Sequence, residues 1–283
     1  MKIFAKNVNL CWIPIKLSIP QRGKANKVML CSYCLYGFWS MIQKTKAIIL
    51  KTTKYGETSL VVTAFTELFG VQTYMVNGVR SSKQANAKST YFQPGSMLEM
   101  VAYHNEQKTM QRIKEFKFAY LYTQIFSSVI KNCIALFAVE ILNKCLKQPE
   151  TNTNLYNFCE DAFLQLDVCS KKATANFPLF FALHLPQFFG FKMIDNYNDK
   201  NIFFDLNEGV FCPEQPMHNN YLNKNDSFTT SQLLKAMHPR ELEHFNLNKE
   251  TRRLLLHKYE TYYGYHIQDF GQLKTLVVLG EVL

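Results

Sequence analysis

From Ala47 to Arg80 the chain reads AIILKTTKYGETSLVVTAFTELFGVQTYMVNGVR, a series of short β-rich runs broken by glycine turns and studded with Lys and Arg. Ile48, Ile49, Val61, Val62, Thr63, Val71, Val76 and, further on, Val101 favour strand over helix, because branched side chains pack well on a pleated surface. Gly56 and Gly70 supply tight turns, and Asn77-Gly78 ends the third run where positive φ is easily reached. Strands are predicted at roughly 45–54, 58–66, 71–77, 95–103 and 110–118, and five short strands with one long interruption suggest an OB-like Greek-key barrel. The interruption, residues 78–90, reads GVRSSKQANAKST and holds Arg80, Lys83 and Lys88 without an acid. It is expected to be an exposed, mobile basic loop. A small basic barrel makes nucleic acid the first partner to consider and turns the reading away from catalysis.

The distribution of charge sharpens that expectation. Of 32 basic and 22 acidic residues, residues 1–40 carry six basic and no acidic, Met41 to Ala119 carry eleven and five, and Tyr120 onward carry fifteen and seventeen. The positive field is therefore concentrated in the first half, where it steers polyanions. Solubility alone is the competing account of such a charge. A chain of 283 residues suggests two modest domains.

The first forty residues resist assignment to either domain. Val28 to Trp39 is an apolar run behind a basic stretch, which imitates a signal peptide without the small-residue cleavage pattern. It also falls short of the ~20 residues a membrane span needs. Pro14, Pro20 and Gly23 break any regular pattern, and Met41 stands just before the first strand. The expectation is that the natural chain begins at Met41 and that residues 1–40 are a non-native or disordered extension translated from upstream sequence. The barrel would then occupy 41–120 and a helical domain 121–283.

After Tyr120 the apolar period lengthens from two toward 3.6. Phe126, Ile130, Ile134, Phe137 and Ile141 recur at steps of three and four, predicting a helix over about 121–147 that Pro149 terminates. A second helix is expected from Leu155 to Leu166 with Asn154 as N-cap. A third, over about 174–189, is apolar, rich in Phe and therefore central, with a break or kink from Pro178 and Pro186. Residues 195–226 lose helical periodicity and read as a long loop with a hairpin around Phe203 to Cys212. Short helices are predicted at about 229–237, at 239–245 with Pro239 in the first helical position, and at 249–263, capped by Asn248 and ended by Gly264. The tail Leu273 to Leu283 is apolar and is expected to pack back on a neighbour. The fold class is α+β multidomain, an N-terminal OB-fold β-barrel followed by an all-α helical domain.

Four of the cysteines, Cys133, Cys145, Cys159 and Cys169, sit among Leu, Phe and Ile, where a thiol behaves as a small buried hydrophobe, a usage that suits a reducing cytoplasm. Cys31-Ser-Tyr-Cys34 has the spacing of half a zinc site, but no second pair of ligands follows at a suitable distance.

The run Gly56-Glu57-Thr58-Ser59-Leu60-Val61-Val62-Thr63-Ala64-Phe65-Thr66-Glu67-x-x-Gly70, then Asn77-Gly78-Val79-Arg80, then Phe92-Gln93-Pro94 and Leu98-Glu99, resembles the amino-terminal domain of bacterial RecO, the recombination mediator protein O of DNA repair. The similarity covers about residues 42–283, its motifs lie within 47–100, and the helical half matches in the order and length of its elements. The resemblance implies an OB-fold domain, binding of single- and double-stranded DNA and annealing of complementary strands. It also implies loading of the RecA recombinase together with RecR, contact with single-strand DNA-binding protein through the helical domain, a cytoplasmic, nucleoid-associated location and no membrane. Many relatives carry four Cys as a zinc site in the helical domain. Here Phe204-Asp205-x-x-Glu208-Gly209-x-x-Cys212 is similar to its later part, but Asn196-Tyr197-Asn198-Asp199 stands where the first pair is expected. One thiol, even with His218, is too few for a tetrahedral site. No zinc or other cofactor is expected, and packing of Phe203, Phe204 and Phe211 should hold the loop instead.

For a barrel that binds single strands, cations neutralise phosphates and flat side chains stack on bases. The candidate cations are Lys44, Lys46, Lys51, Lys54, Arg80, Lys83, Lys88, Arg112, Lys114 and Lys117, with Arg80 foremost because it heads the basic loop and matches the family's G-x-R/K position. Tyr55, Tyr74 and Tyr103 are the aromatic candidates, each with the competing role of closing a barrel end. Replacing Arg80, Lys83 and Lys88 together by Ala should flatten the salt dependence of binding by roughly two log units per log unit of salt. No H-E-x-x-H, G-x-S-x-G or Walker A run occurs, and His238, Glu241, Glu243 and His244 read as a solvated helix face. The alternative to DNA binding is a non-catalytic protein-interaction adaptor built on an OB-like barrel.

Overall fold

Ala47, Ile48, Ile49 and Leu50 are all buried, which a strand allows only where both of its faces are covered. The structure, a computed structural model, describes residues 41–79 and 88–282. The extension 1–40 and the loop residues Arg80 and Lys83 lie outside the described residues. Five strands, β1 (Met41–Tyr55), β2 (Ser59–Thr66), β3 (Gly70–Val76), β4 (Met97–His104) and β5 (Gln111–Phe118), close into a barrel in the order β1-β2-β3-β5-β4. The pairing of β3 with β5 is parallel, through Tyr74 opposite Gln111 and Met75 opposite Arg112. Pairing of β1 with β2, of β2 with β3 and of β4 with β5 is antiparallel. Apart from β1, which starts four residues early, each strand lies within two residues of its expected span.

Two cores explain the burial of β1. Ala47 and Ile49 point inward with Leu60, Val62, Ala64, Tyr74, Val76, Leu98, Met100 and Ala102 to fill the barrel. Ile48 and Leu50 point outward with Phe65 and Met97 and belong to the core of the helical half. Phe65 there meets Tyr156 at 5.6 Å between ring centroids. A bulge between Ile49 and Lys51 places Leu50 and Lys51 on the outer side in succession, so the first goes under the helices and the second to solvent. The barrel's outer face is thereby divided into a covered and an open part. Gly70 is decisive at the covered end: its φ is +61°, and a Cβ there would stand 2.3 Å from the carbonyl oxygen of Glu150. The hydroxyl of Thr151 donates to the Leu68 carbonyl at 3.1 Å across the same junction.

The helical half begins later than its periodicity predicts. Helix α1 spans Val129–Cys145, capped by Ser128, whereas 121–128 form turns. The reason lies in Asp167, whose buried carboxylate accepts the amides of Thr123, Gln124 and Ile125 and the Thr123 hydroxyl at 2.8 to 2.9 Å. Burial opposes its charge, and these bonds together outweigh that penalty, so the carboxyl sits below its ordinary range. Beside it the buried ammonium of Lys131 donates to the carbonyls of Asp167 and Cys169.

Helix α2 (Thr153–Val168) starts two residues before the expected Leu155, and its cap is Asn152 rather than Asn154. Helix α3 (Lys171–His184) runs through Pro178 and gives way to a 3-10 turn, Leu185–Phe189, at Pro186, so the second proline makes the break. The expected hairpin is part of a three-stranded sheet, β6 (Phe203–Asp205), β7 (Val210–Cys212) and β8 (Tyr221–Leu222), in the order β7-β6-β8. Helix α4 (Lys224–Lys235) begins five residues earlier than predicted because Asn223 caps it. A 3-10 turn, Pro239–His244, follows, with His238 as its cap. Helix α5 (Lys249–His266) is capped by Asn248 as expected but passes through Gly264. The tail forms helix α6 (Lys274–Val282), whose first amides at Lys274 and Thr275 are accepted by Glu140 of α1. No helix among the described residues is long and apolar enough to cross a membrane.

Candidate nucleic-acid interface

Alternation along the strands decides which side chains the open part of the barrel presents. Val62, Tyr74 and Ala102 are buried, so their neighbours Thr53, Val61, Met75, Arg112 and Tyr103 face outward. The register sets these five side by side: Thr53 opposite Val61, Val61 opposite Met75, Met75 opposite Arg112 and Arg112 opposite Tyr103. At ~4.8 Å per strand they make a transverse row of about 19 Å across all five strands. A second, shorter row runs from Lys51 through Thr63 to Thr73. Tyr55 ends β1 opposite Ser59, with its side chain 55% exposed, and Tyr103 is 36% exposed. Arg112 is thus flanked by a thioether on one side and a ring on the other, an arrangement suited to a base stacked beside a neutralised phosphate.

The expected cations fall into two groups. Lys51, Lys54, Lys88 and Arg112 are exposed and enter no ion pair among the described residues. Lys44 and Lys117 instead bracket Glu99, at 3.0 and 3.2 Å from its Oε2. Lys114 lies 3.4 Å from Glu115. Lys46 donates to Glu160 of α2 at 2.8 Å, a bond that raises its pKa and ties the barrel to the helices.

Tyr74 requires correction. It is 1% exposed and packed inside the barrel, where burial pushes its hydroxyl well above the ordinary phenol range. Its ring closes the core and offers no face to a base. Alternation would have revealed this, since Tyr74 lies between the outward positions Thr73 and Met75. The sequence reading also passed over Lys108, which is exposed in the loop joining Tyr103's strand to Arg112's, and over the uncharged platform residues Val61 and Met75. Each is unremarkable in composition and acquires its place only through register.

The loop of the helical half is fastened by hydrogen bonds as well as rings. Phe204 and Phe211 are buried and meet edge to face at 4.8 Å, while Phe203 is half-buried. Asn196 accepts from the Phe211 amide at 2.7 Å and donates to the Phe211 carbonyl at 2.9 Å. The Cys212 thiol, raised in pKa chiefly by burial, donates to the carbonyls of Phe203 and Glu214. His218 faces Asp205 at 3.2 Å. Among the described residues no three His, Cys, Asp or Glu side chains gather as metal ligands. A shallow cleft between α5 and α6 is lined in part by Lys249, Arg252, Arg253 and His257. Two of these already hold backbone: Lys249 donates to the Glu281 carbonyl and Arg252 to that of Leu247.

Known proteins align with both halves. Residues 41–122 match the family described as recombination protein O, N terminal, and residues 127–276 match recombination protein O, C terminal. DNA repair protein RecO of Flavobacterium psychrophilum is 35% identical over 244 residues, 84% of this chain and 98% of the relative. The protein of the same name from Bacteroides fragilis is 34% identical over 244 residues, covering 86% and 99%. That from Azobacteroides pseudotrichonymphae is 30% identical over 242 residues, again 86% and 99%. With a five-stranded barrel of OB order, a helical half and matches that run the length of both, the chain belongs to the RecO family.

Proposed function

We propose that this chain is a DNA repair and recombination mediator that binds single- and double-stranded DNA without reading sequence and anneals complementary strands. On this reading it works with RecR to load RecA onto strands coated with single-strand DNA-binding protein. The observation that carries the reading is the open barrel face, where exposed Arg112 stands in an outward row with Tyr103, exposed Lys51 heads the adjacent row, and exposed Lys54 lies near the end of β1. Phosphate contacts position a strand and carry no base information, which suits a protein whose substrates are arbitrary sequences. On this reading the DNA crosses β1, β2 and β3 toward Arg112, away from the part of the barrel covered by helices. Membership of the family supports the partners and a cytoplasmic location on the nucleoid. The role asks for no catalytic group and no zinc, and the Asn196 clasp supports a loop that holds its shape without metal.

The test is fluorescence anisotropy of residues 41–283 with a labelled single strand over a salt series, followed by addition of the complement. Salt-sensitive binding and accelerated annealing are expected. Absence of binding at low salt would leave the barrel as a protein-docking module and reject the reading.

A further inference from the structure

Two of the barrel's lysines are occupied by a carboxylate of the barrel itself, in the manner a phosphate would occupy them. Glu99 lies outward on β4, directly opposite Lys117 of β5, and Lys44 reaches it from β1 across the strand pair that closes the barrel. Its side chain is 25% exposed, whereas those of Lys44 and Lys117 are 68% and 69% exposed. Oε2 itself is shielded from solvent beneath the two ammonium groups. The ammonium groups hold the Glu99 carboxyl below the ordinary carboxylate range. The arrangement is a two-lysine anion clamp loaded with an internal anion.

We infer that Lys44 and Lys117 form a phosphodiester-receiving site that Glu99 occupies and thereby weakens, making Glu99 a built-in competitor for nucleic-acid phosphate. The inference rests on the DNA-binding reading above. A carboxylate and a phosphodiester each carry one negative charge, and both suit paired ammonium donors. When a phosphate enters, each lysine can follow it on a flexible four-carbon stem, but Glu99 stays fixed on its strand. It is then left beside the incoming phosphate as a like charge, so entry trades one pair for another and adds repulsion. A protein that holds strands only until they pair benefits from a site that gives them back. Glu115, the neighbouring acid on β5, is not equivalent, because it is 67% exposed and touches one lysine.

The experiment compares the salt dependence of single-strand binding in the full chain and five variants: Glu99→Gln, Glu106→Gln, Lys44→Ala/Lys117→Ala, the triple variant joining that pair to Glu99→Gln, and Arg112→Ala. Glu106 is exposed in the β4–β5 loop and forms no ion pair among the described residues, so its variant controls for net charge. Thermal melting of each confirms that it folds. Each single-strand phosphate contact contributes ~0.7 to the log–log slope. Glu99→Gln should steepen the slope by about 1 and slow strand dissociation, and Glu106→Gln should leave the slope unchanged. The lysine pair should matter little when Glu99 is present and should abolish the added slope when it is Gln. Equal slopes for Glu99→Gln, Glu106→Gln and wild type would overturn the inference while leaving DNA binding intact. Equal loss from the lysine pair in both backgrounds would also overturn it. Absence of binding by wild type, with Arg112→Ala no different, would instead overturn the mediator reading and this inference with it.

Discussion

Ile48 and Thr53 lie five residues apart on one strand, both outward, yet one is sealed beneath the helices and the other stands on the open row. The covered part of the barrel's outer face is aliphatic and aromatic, with Ile48, Leu50, Phe65 and Met97 buried against α-helical side chains. The open part carries Lys51, Thr53, Tyr55, Arg112 and Tyr103. The bulge at Leu50 is the border between them. Stability and the proposed binding face therefore share the same strands and are separated in space. Substitutions on one side of the border should change melting and spare DNA, and those on the other should do the reverse.

The largest effects belong to the covered side. Phe65→Ala removes a fully buried ring and should cost about 3–5 kcal/mol. At ~2–4 °C per kcal/mol the melting temperature should fall by roughly 6–20 °C, with the salt dependence of DNA binding intact wherever the variant is folded. Gly70→Ala should be comparably severe, since it combines strain at φ +61° with a collision against the backbone at Glu150. A change in binding slope without loss of stability, from either variant, would erase the border.

Asp167 tests the joint between the halves through pH. Its folded pKa lies below the unfolded value, so its contribution is present above ~pH 4 and is lost as pH falls through the depressed folded value. Asp167→Asn should destabilise the protein at neutral pH, because Asn has one acceptor oxygen for amides and a hydroxyl that now share two. It should also flatten the loss of stability in acid, measured as denaturant midpoints against pH. An unchanged acid limb would assign that loss to other carboxylates.

On the open side the effects are on affinity. Tyr103→Ala should weaken single-strand binding by ~1–3 kcal/mol if its ring carries a base, a change of about 5- to 150-fold, with stability within ~0.5 kcal/mol of wild type. The smallest expected effect comes from Tyr74→Phe. The Tyr74 hydroxyl is buried without a hydrogen-bond partner among the described residues, so its loss should be neutral or slightly stabilising and leave DNA affinity unchanged.

The first three strands were legible because they are rich in β-branched residues and closed by Gly56, Gly70 and Asn77-Gly78, signals local to a few residues. Cations were legible as a class, but not which of them are spent internally: Lys46 and Lys51 look alike in sequence and differ because Glu160 lies 114 residues from the first. Tyr74 has the residue type of a stacking ring, but its position in the alternation along β3, a strand without a basic residue, turns it into the barrel core. Residues 121–128 carry a helical apolar pattern, yet Asp167 takes the amides that a helix would need, a contact over more than forty residues. Likewise, helix α6 depends on Glu140 for its first amides, which no reading of the tail alone reveals.

The open row is the proposed DNA site. The direct measurement is the slope of log affinity against log salt for single-strand binding by wild type and by the triple variant Lys51→Ala/Lys54→Ala/Arg112→Ala. With three phosphate contacts removed at ~0.7 each, the slope should flatten by about 2 while the melting temperature stays unchanged. A stable triple variant that binds with the wild-type slope would move the DNA off this face of the barrel.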